Sequence, residues 1–437
     1  IWGSDAGLAT MIVQSAPLEH IPRLWQMLRM PSLRTTLPAP EVSFLSIVAV
    51  LVPLLGALAP LQVWIPIAVA AALIAAYRVV VARAWPISSS AFAAILLVVA
   101  VWCGASSFWA VNPANSLRTL GQVSLVAMSL LVLMDAGSRM GAGERVAFAR
   151  WLTLGMIVML AITLATAGTI IAHTLWVEQI PMHEGKLAGL NRTASLLGIL
   201  TWPTAIAIAR AYGQRAAIWF VGAAIITIFI LAPLSPLLAA IAGAVVFTIG
   251  LRTPAVGRAA LFVVSVGFVL AIPFTDIITD QAKQFLVANL SAPQSEVHRF
   301  IIWEFATDKI FERPLFGWGL DASRDIPGGQ TMIYLFDLND GRTAFGQALP
   351  LHPHNAVIQI WLELGIIGLA LLALLFAAAI KATAQAMTRF AQAAAAATVT
   401  SAFVMAQLGF GVWQGWWIAS LATITIFTTI VAWPGHD

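Results

Sequence analysis

The sequence predicts an all-α, polytopic membrane protein: a bundle of about twelve transmembrane helices with a partly helical cap at one end. Two observations come from composition. Of the 437 residues, 60% are hydrophobic and only 10% are charged, whereas soluble domains carry roughly 25% charged residues. The third observation is a series of apolar runs of about 17 to 25 residues, each long enough to cross a bilayer. With so few polar side chains, most apolar side chains must face lipid or other buried helices.

The apolar runs define the predicted spans, and two connections are short enough to make helical hairpins, near Pro233 and near Val412 to Gln414. The predicted spans are 43–59, 61–81, 87–107, 117–136, 148–170, 193–211, 215–233, 234–251, 256–274, 356–380, 390–411 and 414–433.

Residues 1–42 are predicted to be a cytoplasmic N-terminal segment. Within it, Ile21, Leu24, Trp25 and Leu28 recur at helical spacing beside basic residues. This pattern is typical of a short helix that lies on the membrane surface.

The distribution of basic residues predicts the orientation. With the N-terminus in the cytoplasm, the short loops on that side carry most of the arginines and lysines, as the positive-inside rule requires. Two longer connections, 171–192 and 275–355, then lie on the outer side. The chain therefore divides into nine spans within 43–274, the large outer loop 275–355, and three spans within 356–437.

The large outer loop is too apolar and aromatic to be disordered. Its stretch HRFIIWEFATDKIFERPLFGWGLD predicts an amphipathic helix that ends near Pro314, followed by a Gly-Trp-Gly turn. We expect this loop to fold as a cap over the outer mouth of the bundle.

Several function classes are excluded or disfavoured. The net charge of +4 does not indicate nucleic acid, because basic residues in a membrane protein first report its orientation. The single cysteine, Cys103, lies in an apolar run and is predicted to be a small core residue. His352 and His354 form a weak ligand set without cysteines or a nearby carboxylate pair. No metal and no cofactor are predicted.

The junction PLHPHNAVIQIWLELGIIG leaves two interpretations of His354 open. It is either an interfacial histidine next to Asn355, the N-cap of the following helix, or a functional group at the outer surface. At 100° per residue, Gly365 and Gly368 fall on the face of His354, which predicts a groove for a neighbouring helix. Glu363 lies on the opposite side and below the surface, where structural hydrogen bonding and a functional role are both possible.

Two arginines also have two interpretations each. Arg192 opens a span in GLNRTASLLGIL, either as an interface anchor or as a phosphate-binding guanidinium at a helix N-terminus. Arg299 is either an exposed residue of the loop helix or a second such cation.

Three motifs together resemble the O-antigen ligase and polymerase superfamily of bacterial envelopes. The signature His-Asn, nine residues, Gly-x-x-Gly is present at the end of the large loop. An Arg-x-x-x-Trp segment precedes Arg-Pro-Leu-x-Gly-x-Gly, and an Asn-Arg pair precedes a span. The residues that carry the resemblance are Asn191, Arg192, Arg299, Trp303, Arg313, Pro314, Leu315, Gly317, Gly319, His354, Asn355, Gly365 and Gly368.

The resemblance implies a glycosyltransferase of the bacterial inner membrane whose active site faces the periplasm. Its donor would be a glycan on undecaprenyl diphosphate, and its acceptor a hydroxyl of lipid A-core oligosaccharide. His354 would act as the base, and Arg192 and Arg299 would bind the diphosphate, in an inverting reaction without metal. Substrate-binding roles would fall to Asn191, Asn355, Trp303 and Arg313.

Other functions remain open at this point. An O-antigen or exopolysaccharide polymerase would use a carrier-linked acceptor, but polymerases of the superfamily often have two large outer loops. A protein O-glycosyltransferase is a weaker alternative. A transporter or channel would place polar residues along several spans near the midplane, whereas here they gather in the outer loops.

Overall fold

In a computed structural model of the chain, helices dominate the described residues, which are 40–88, 90–178, 184–231, 233–274, 277–281, 285, 294–337 and 343–434. Eleven of the described helices are long and apolar enough to cross a membrane, so the prediction of an all-α membrane bundle is confirmed. The predicted span 87–107 corresponds to a shorter apolar helix of 16 residues, Ala91–Ser106. The predicted interfacial helix within 1–42 lies outside the described residues.

The elements are numbered in chain order. The helices are α1 (Pro40–Leu58), α2 (Trp64–Ala76), α3 (Ala91–Ser106), α4 (Pro113–Ser138), α5 (Ala142–Ala172), α6 (Asn191–Tyr212), α7 (Gln214–Leu231), α8 (Leu234–Arg252), α9 (Pro254–Ala271), α10 (Gln294–Glu312), α11 (Ala356–Thr383), α12 (Arg389–Leu408) and α13 (Gly415–Ala432). The strands are β1 (Met332–Asp337) and β2 (Thr343–Gln347). The two predicted hairpins are confirmed between α7 and α8 and between α12 and α13.

Short polar side chains start several of these helices. The side chains of Ser90, Asn112, Asn355 and Thr388 each accept a hydrogen bond from a backbone N–H in the first turn of α3, α4, α11 and α12. Such caps satisfy N–H groups that have no partner within the helix. They determine where the chain enters the bundle.

The first predicted outer loop is shorter than expected. Helix α5 runs to Ala172 and continues as a π-helical turn, His173–Val177, and a 3₁₀ helix, Glu184–Leu190, precedes α6. Only residues 178–185 separate the two spans. The predicted span ended at residue 170, but the helix continues through Ala172 and the following turn, His173–Val177.

The end of the bundle away from residues 294–355 is held by buried arginines. Arg78 donates to the carboxylate of Glu41 at 2.7 Å and also pairs with Asp135. Arg145 is 1% exposed and donates to the carbonyl oxygens of Gly137 at 3.0 Å and Ile430 at 2.7 Å. It thereby satisfies carbonyls at the C-terminal ends of α4 and α13, where a cation is electrostatically favoured.

Residues 294–337 and 343–355, called the cap from here on, lie at the opposite end of the bundle. The amphipathic helix predicted in this loop is α10, which ends at Glu312, before Pro314. Ile302, Ala306 and Ile310, spaced four residues apart, pack in one cluster with Val357 and Leu362 of α11. Helix α10 therefore lies along the first half of α11.

A β-hairpin covers the other side of α10. Strands β1 and β2 pair antiparallel, with Met332 opposite Gln347. Val297 and Ile301 of α10 pack against the hairpin through Leu335 and its neighbours. This packing positions the beginning of α10, which carries Arg299.

Candidate active site at the junction of cap and bundle

His354 is the half-buried residue just before α11. Its Nδ1 lies 2.8 Å from the carbonyl oxygen of Gly409, at the end of α12. A carbonyl only accepts, so Nδ1 carries the proton and, in the neutral ring, Nε2 is left as a proton acceptor. Burial lowers the pKa of His354; the hydrogen bond to Gly409 opposes this shift, and the charges of Arg299 and His298 add to it. The ring is therefore neutral at physiological pH.

The backbone of His354 has the left-handed conformation, with φ +56°. This region is unfavourable for a residue with a Cβ atom and persists only where its surroundings hold it. Here the N–H of His354 points to Nδ1 of His352 at 3.2 Å. Strained residues of this kind cluster at functional sites.

His352 supports His354 and is not itself a base. It is 6% exposed, and its ring centroid lies 4.1 Å from that of His354. The N–H of Gly411 points to its Nε2 at 3.2 Å. Burial, with the charges of His354, Arg324 and Arg299, lowers the pKa of His352 to about 3. The neutral ring can accept from one of these two backbone donors, whereas a protonated ring could accept from neither.

Helix α10 brings two predicted site residues to this histidine. The indole N–H of Trp303 donates to the carbonyl oxygen of Pro353 at 2.7 Å, immediately before His354. Arg299 lies four residues earlier, on the same helical face, and its charge reaches both His352 and His354. The structure thus gathers Arg299, Trp303 and His354 at one place.

Asn355 has a structural role. It is 5% exposed, and its side-chain oxygen accepts from the N–H of Ile358 at 3.0 Å. It is the N-cap of α11, as one sequence interpretation proposed. The cap fixes the first turn of the helix directly after His354.

Two other predicted residues lie at the same end of the bundle without direct contact to His354. Asn191 and Arg192 are exposed in the first turn of α6. The α8 residue Ser235 donates to the carbonyl of Leu408 at 2.9 Å, next to Gly409. Because α6 packs against both α8 and α12, its first turn lies at the same end of the bundle as His354.

Arg313 is not brought to His354. It follows the last residue of α10, about 20 Å along the helix axis from Arg299 at 1.5 Å per residue. Its guanidinium lies 4.0 Å from the ring centroid of Trp318, a cation–π contact. Its predicted role in substrate binding would require contact with a different part of the substrate.

The interpretation of Gly365 as part of a groove for a neighbouring helix is wrong. Helix α11 is broken there, with φ +68° and ψ −170° at Gly365. A Cβ on this residue would lie 2.1 Å from the carbonyl oxygen of Leu315. The closest neighbour is thus the cap segment 314–319. The helical face count from His354 does not continue past the break, so Gly368 cannot be assigned to that face.

The cap segment 314–319 supplies hydrogen-bond partners for the backbone groups of α11 that the break leaves unpaired. The N–H of Trp318 donates to Leu362 at 2.9 Å, and that of Gly319 to Glu363 at 2.8 Å. In return, the N–H of Ile366 donates to Pro314 at 3.0 Å. Unsatisfied backbone groups cost several kcal/mol inside a membrane. The Arg-Pro-Leu-x-Gly-x-Gly motif therefore packs on the break at Gly365. These two segments, residues 313–319 and 362–366, are called the joint from here on.

The carboxylate of Glu363 is buried in this joint and connects its parts by hydrogen bonds. It is fully buried and accepts hydrogen bonds from the N–H of Asp321 at 2.7 Å, the side chain of Gln359 at 3.1 Å, and the hydroxyl of Ser323 and indole of Trp413. These donors come from the cap, α11 and the α12–α13 hairpin. Of the structural and functional roles open to this acid, the structure provides the structural one. Cys103 is buried beside the joint, as predicted.

The sequence interpretation missed Arg118 and Arg324, which line a cleft beside His352. Arg324 was one of many polar residues in the large loop, and Arg118 opens an apolar span. Neither stands in a motif, so only the fold could bring them together.

The apolar helices define a multi-pass membrane protein. The neutral His354, held between the cap and these helices, gives it a polar site at one end. Residues 211–373 match the sequence model of a family described as O-antigen ligase. This range includes Arg299, His354 and the joint at Gly365, but not Arg192. This match, together with the similar chains described next, supports the O-antigen ligase superfamily and confirms the resemblance seen in the motifs.

Similar chains are known from Rickettsia, each named as a putative polysaccharide ligase. The protein of Rickettsia prowazekii is 28% identical over 347 residues, covering 77% of this chain and 80% of its own. That of Rickettsia typhi is 26% identical over 344 residues, with the same coverage. That of Rickettsia conorii is 32% identical over 155 residues, or 36% of each chain.

Proposed function

We propose that this protein transfers a glycan from undecaprenyl diphosphate to an acceptor hydroxyl, with His354 as the general base. The observation that carries the proposal is the hydrogen bond from Nδ1 of His354 to Gly409. It leaves a neutral, oriented Nε2 at the junction of cap and bundle. A lipid-linked donor needs such a junction, because its tail stays in lipid while its sugars reach water.

The proposed reaction is a single displacement that inverts the anomeric carbon. The acceptor oxygen attacks this carbon as Nε2 of His354 takes the hydroxyl proton. The bond from the anomeric carbon to the phosphate oxygen breaks, and undecaprenyl diphosphate leaves with the electron pair. The proton passes from His354 to water or to the departing diphosphate.

The leaving group needs charge stabilisation more than a proton. Arg299 is the proposed first cation for the diphosphate, since it lies one helical turn before Trp303, which bonds to Pro353 next to His354, and its charge lowers the pKa of His354. Arg192 is the proposed second cation, because its side chain is exposed at the start of α6 and a guanidinium suits phosphate. In this arrangement no metal is required.

We propose that the acceptor is lipid A-core oligosaccharide and that the site faces the periplasm from a bacterial inner membrane. The short connection 178–185 supports a ligase over a polymerase, since polymerases of this superfamily often have two large outer loops. The test uses purified protein, a lipid-linked glycan donor and each acceptor in turn. Product on lipid A-core supports the ligase, whereas product only on a carrier-linked acceptor contradicts it.

Replacing Arg299 by glutamine is expected to move the acid limb of the rate profile to higher pH. The reaction needs neutral His354, so the rate falls as the pH falls through the pKa of this residue. That pKa lies below 6.5, partly because of the charge of Arg299. Removing the charge raises the pKa, and activity is then lost at a higher pH. The measurement is kcat against pH.

Arg252→Gln is the matched control, because Arg252 is exposed at the last turn of α8, away from the cap. Its acid limb should coincide with that of the unmodified protein. An Arg299→Gln profile that keeps its limb or moves to lower pH would contradict the electrostatic coupling to His354.

A further inference from the structure

A polar cleft of about 240 Å³ lies beside His352, where the beginning of α4, the α12–α13 connection and the cap meet. Neither Arg299 nor His354 is among the residues that line it. The polar side chains that line it include those of Arg118, Gln122, Arg324, Gln359, Trp413 and Gln414. Amide and guanidinium groups of this kind hydrogen-bond to hydroxyl and anionic groups of sugars.

Two exposed cations stand at this cleft, Arg118 and Arg324. Within the described part of the chain, neither has a carboxylate within ion-pair distance. The nearby carboxylates have other partners: Asp321 accepts from Asn115 at 3.0 Å, and Asp325 from Asn112 at 3.0 Å. The two guanidinium groups are therefore available to an anion from outside.

Internal hydrogen bonds hold the floor of the cleft. Gln359 is 2% exposed; it accepts from the N–H of Val412 at 3.0 Å and donates to Glu363. On the α4 side, the amide of Gln122 donates to the carbonyl of Trp413 at 2.7 Å. Such internal bonds hold binding groups in place before a ligand arrives, which favours specific recognition.

The cleft adjoins the proposed reaction centre through His352. His352 lines it, and the ring of His352 lies against that of His354. A sugar in the cleft could therefore present a hydroxyl toward His354 while the donor diphosphate occupies the side of Arg299. A wider, shallower cleft of about 560 Å³ along residues 324–331 shares Arg324 and gives room for further sugar units.

We propose that this cleft binds the acceptor glycan and that Arg118 and Arg324 hold an anionic substituent, a phosphate or carboxylate, on one of its sugars. The inference rests on the proposed glycan transfer and specifies the acceptor class. It places the acceptor at the cleft beside His352 and the donor diphosphate at Arg299.

The first test is direct binding to the purified full chain in lipid nanodiscs. The probes are a trisaccharide with one phosphate monoester, the same trisaccharide after dephosphorylation, and undecaprenyl diphosphate. The phosphorylated sugar is expected to bind roughly tenfold more tightly than the neutral one, because charge-assisted hydrogen bonds are the stronger kind. Arg118→Ala and Arg324→Ala should each remove most of this preference and leave undecaprenyl diphosphate binding within about twofold.

Arg215→Ala is the control, since Arg215 is exposed at the first turn of α7, away from the cap. It should retain the full preference, and Arg118→Lys should retain part of it. Equal affinity of the unmodified protein for the two trisaccharides would overturn the proposal. So would loss of undecaprenyl diphosphate binding in Arg118→Ala and Arg324→Ala with sugar phosphate binding unchanged.

A transfer assay separates this inference from the proposed function. With donor saturating, Arg118→Ala and Arg324→Ala should raise the KM for an anionic acceptor about tenfold and leave that for a neutral acceptor unchanged. Absence of transfer by the unmodified protein would contradict the proposed function while the binding preference still stood. Normal transfer with an unchanged acceptor KM in both variants would contradict only the assignment of the cleft.

Discussion

Replacing His354 by asparagine is expected to lower kcat by about 100-fold or more, because the loss of a positioned general base costs typically 10²–10⁴ in rate. Asparagine suits the test because it tolerates the left-handed backbone, φ +56°, found at this position. It also keeps a side-chain donor near Gly409 while it removes the basic nitrogen. The measurements are single-turnover transfer and binding of the lipid-linked donor.

The control for this substitution is His173→Asn, because the His173 side chain is 61% exposed in the turn after α5. This variant should transfer glycan at the unmodified rate. Donor binding to His354→Asn should stay within about twofold, which would assign the loss to the chemical step. A folded His354→Asn protein that binds donor and transfers glycan at full rate would exclude the proposed base.

Replacing Gly365 by alanine is expected to destabilise the protein by about 3 kcal/mol or more, the sum of overpacking and the strain of a backbone conformation that essentially only glycine adopts. The added Cβ would lie 2.1 Å from the carbonyl oxygen of Leu315, and that neighbour is backbone held in the joint. The cap should then detach from α11, and His354 should lose its position with it. Thermal unfolding in detergent and protease sensitivity of the cap measure this effect.

Gly222→Ala is the matched control within α7. A Cβ there meets nothing within 4 Å, and alanine is favoured over glycine in a helix by roughly 0.5–1 kcal/mol. This variant should unfold at the same or a slightly higher temperature. A Gly365→Ala protein as stable and protease-resistant as Gly222→Ala would show that the break in α11 is not needed for docking of the cap.

The joint also explains why motifs separated along the chain belong together. Arg299 and Trp303 stand on α10, and the glycines of residues 313–319 follow it. Because that segment hydrogen-bonds to α11 across the break at Gly365, α10 is held beside the start of α11. The motif on α10 and the His-Asn signature before α11 therefore come together at His354.

The sequence alone predicted those features that depend on residues close together in the chain. His354 and Asn355 stand at a boundary between loop and span, and Asn355 proved to be the N-cap of α11. The amphipathic helix α10 followed from its own periodicity and ended before Pro314. Periodicity failed at Gly365, since a helical face can be counted only while the helix continues, and a backbone break leaves no clear signal in an apolar run.

By itself, the sequence determined the all-α membrane class, the main spans and the helical loop that forms the cap, because hydropathy, periodicity and capping act between near neighbours in the chain. Only the tertiary structure decided which groups meet. It assigned Gly409 to His354, four structural partners to Glu363, and Arg118 and Arg324 to one cleft. These contacts join residues that are distant in sequence, and their distances depend on how the cap and the helices pack.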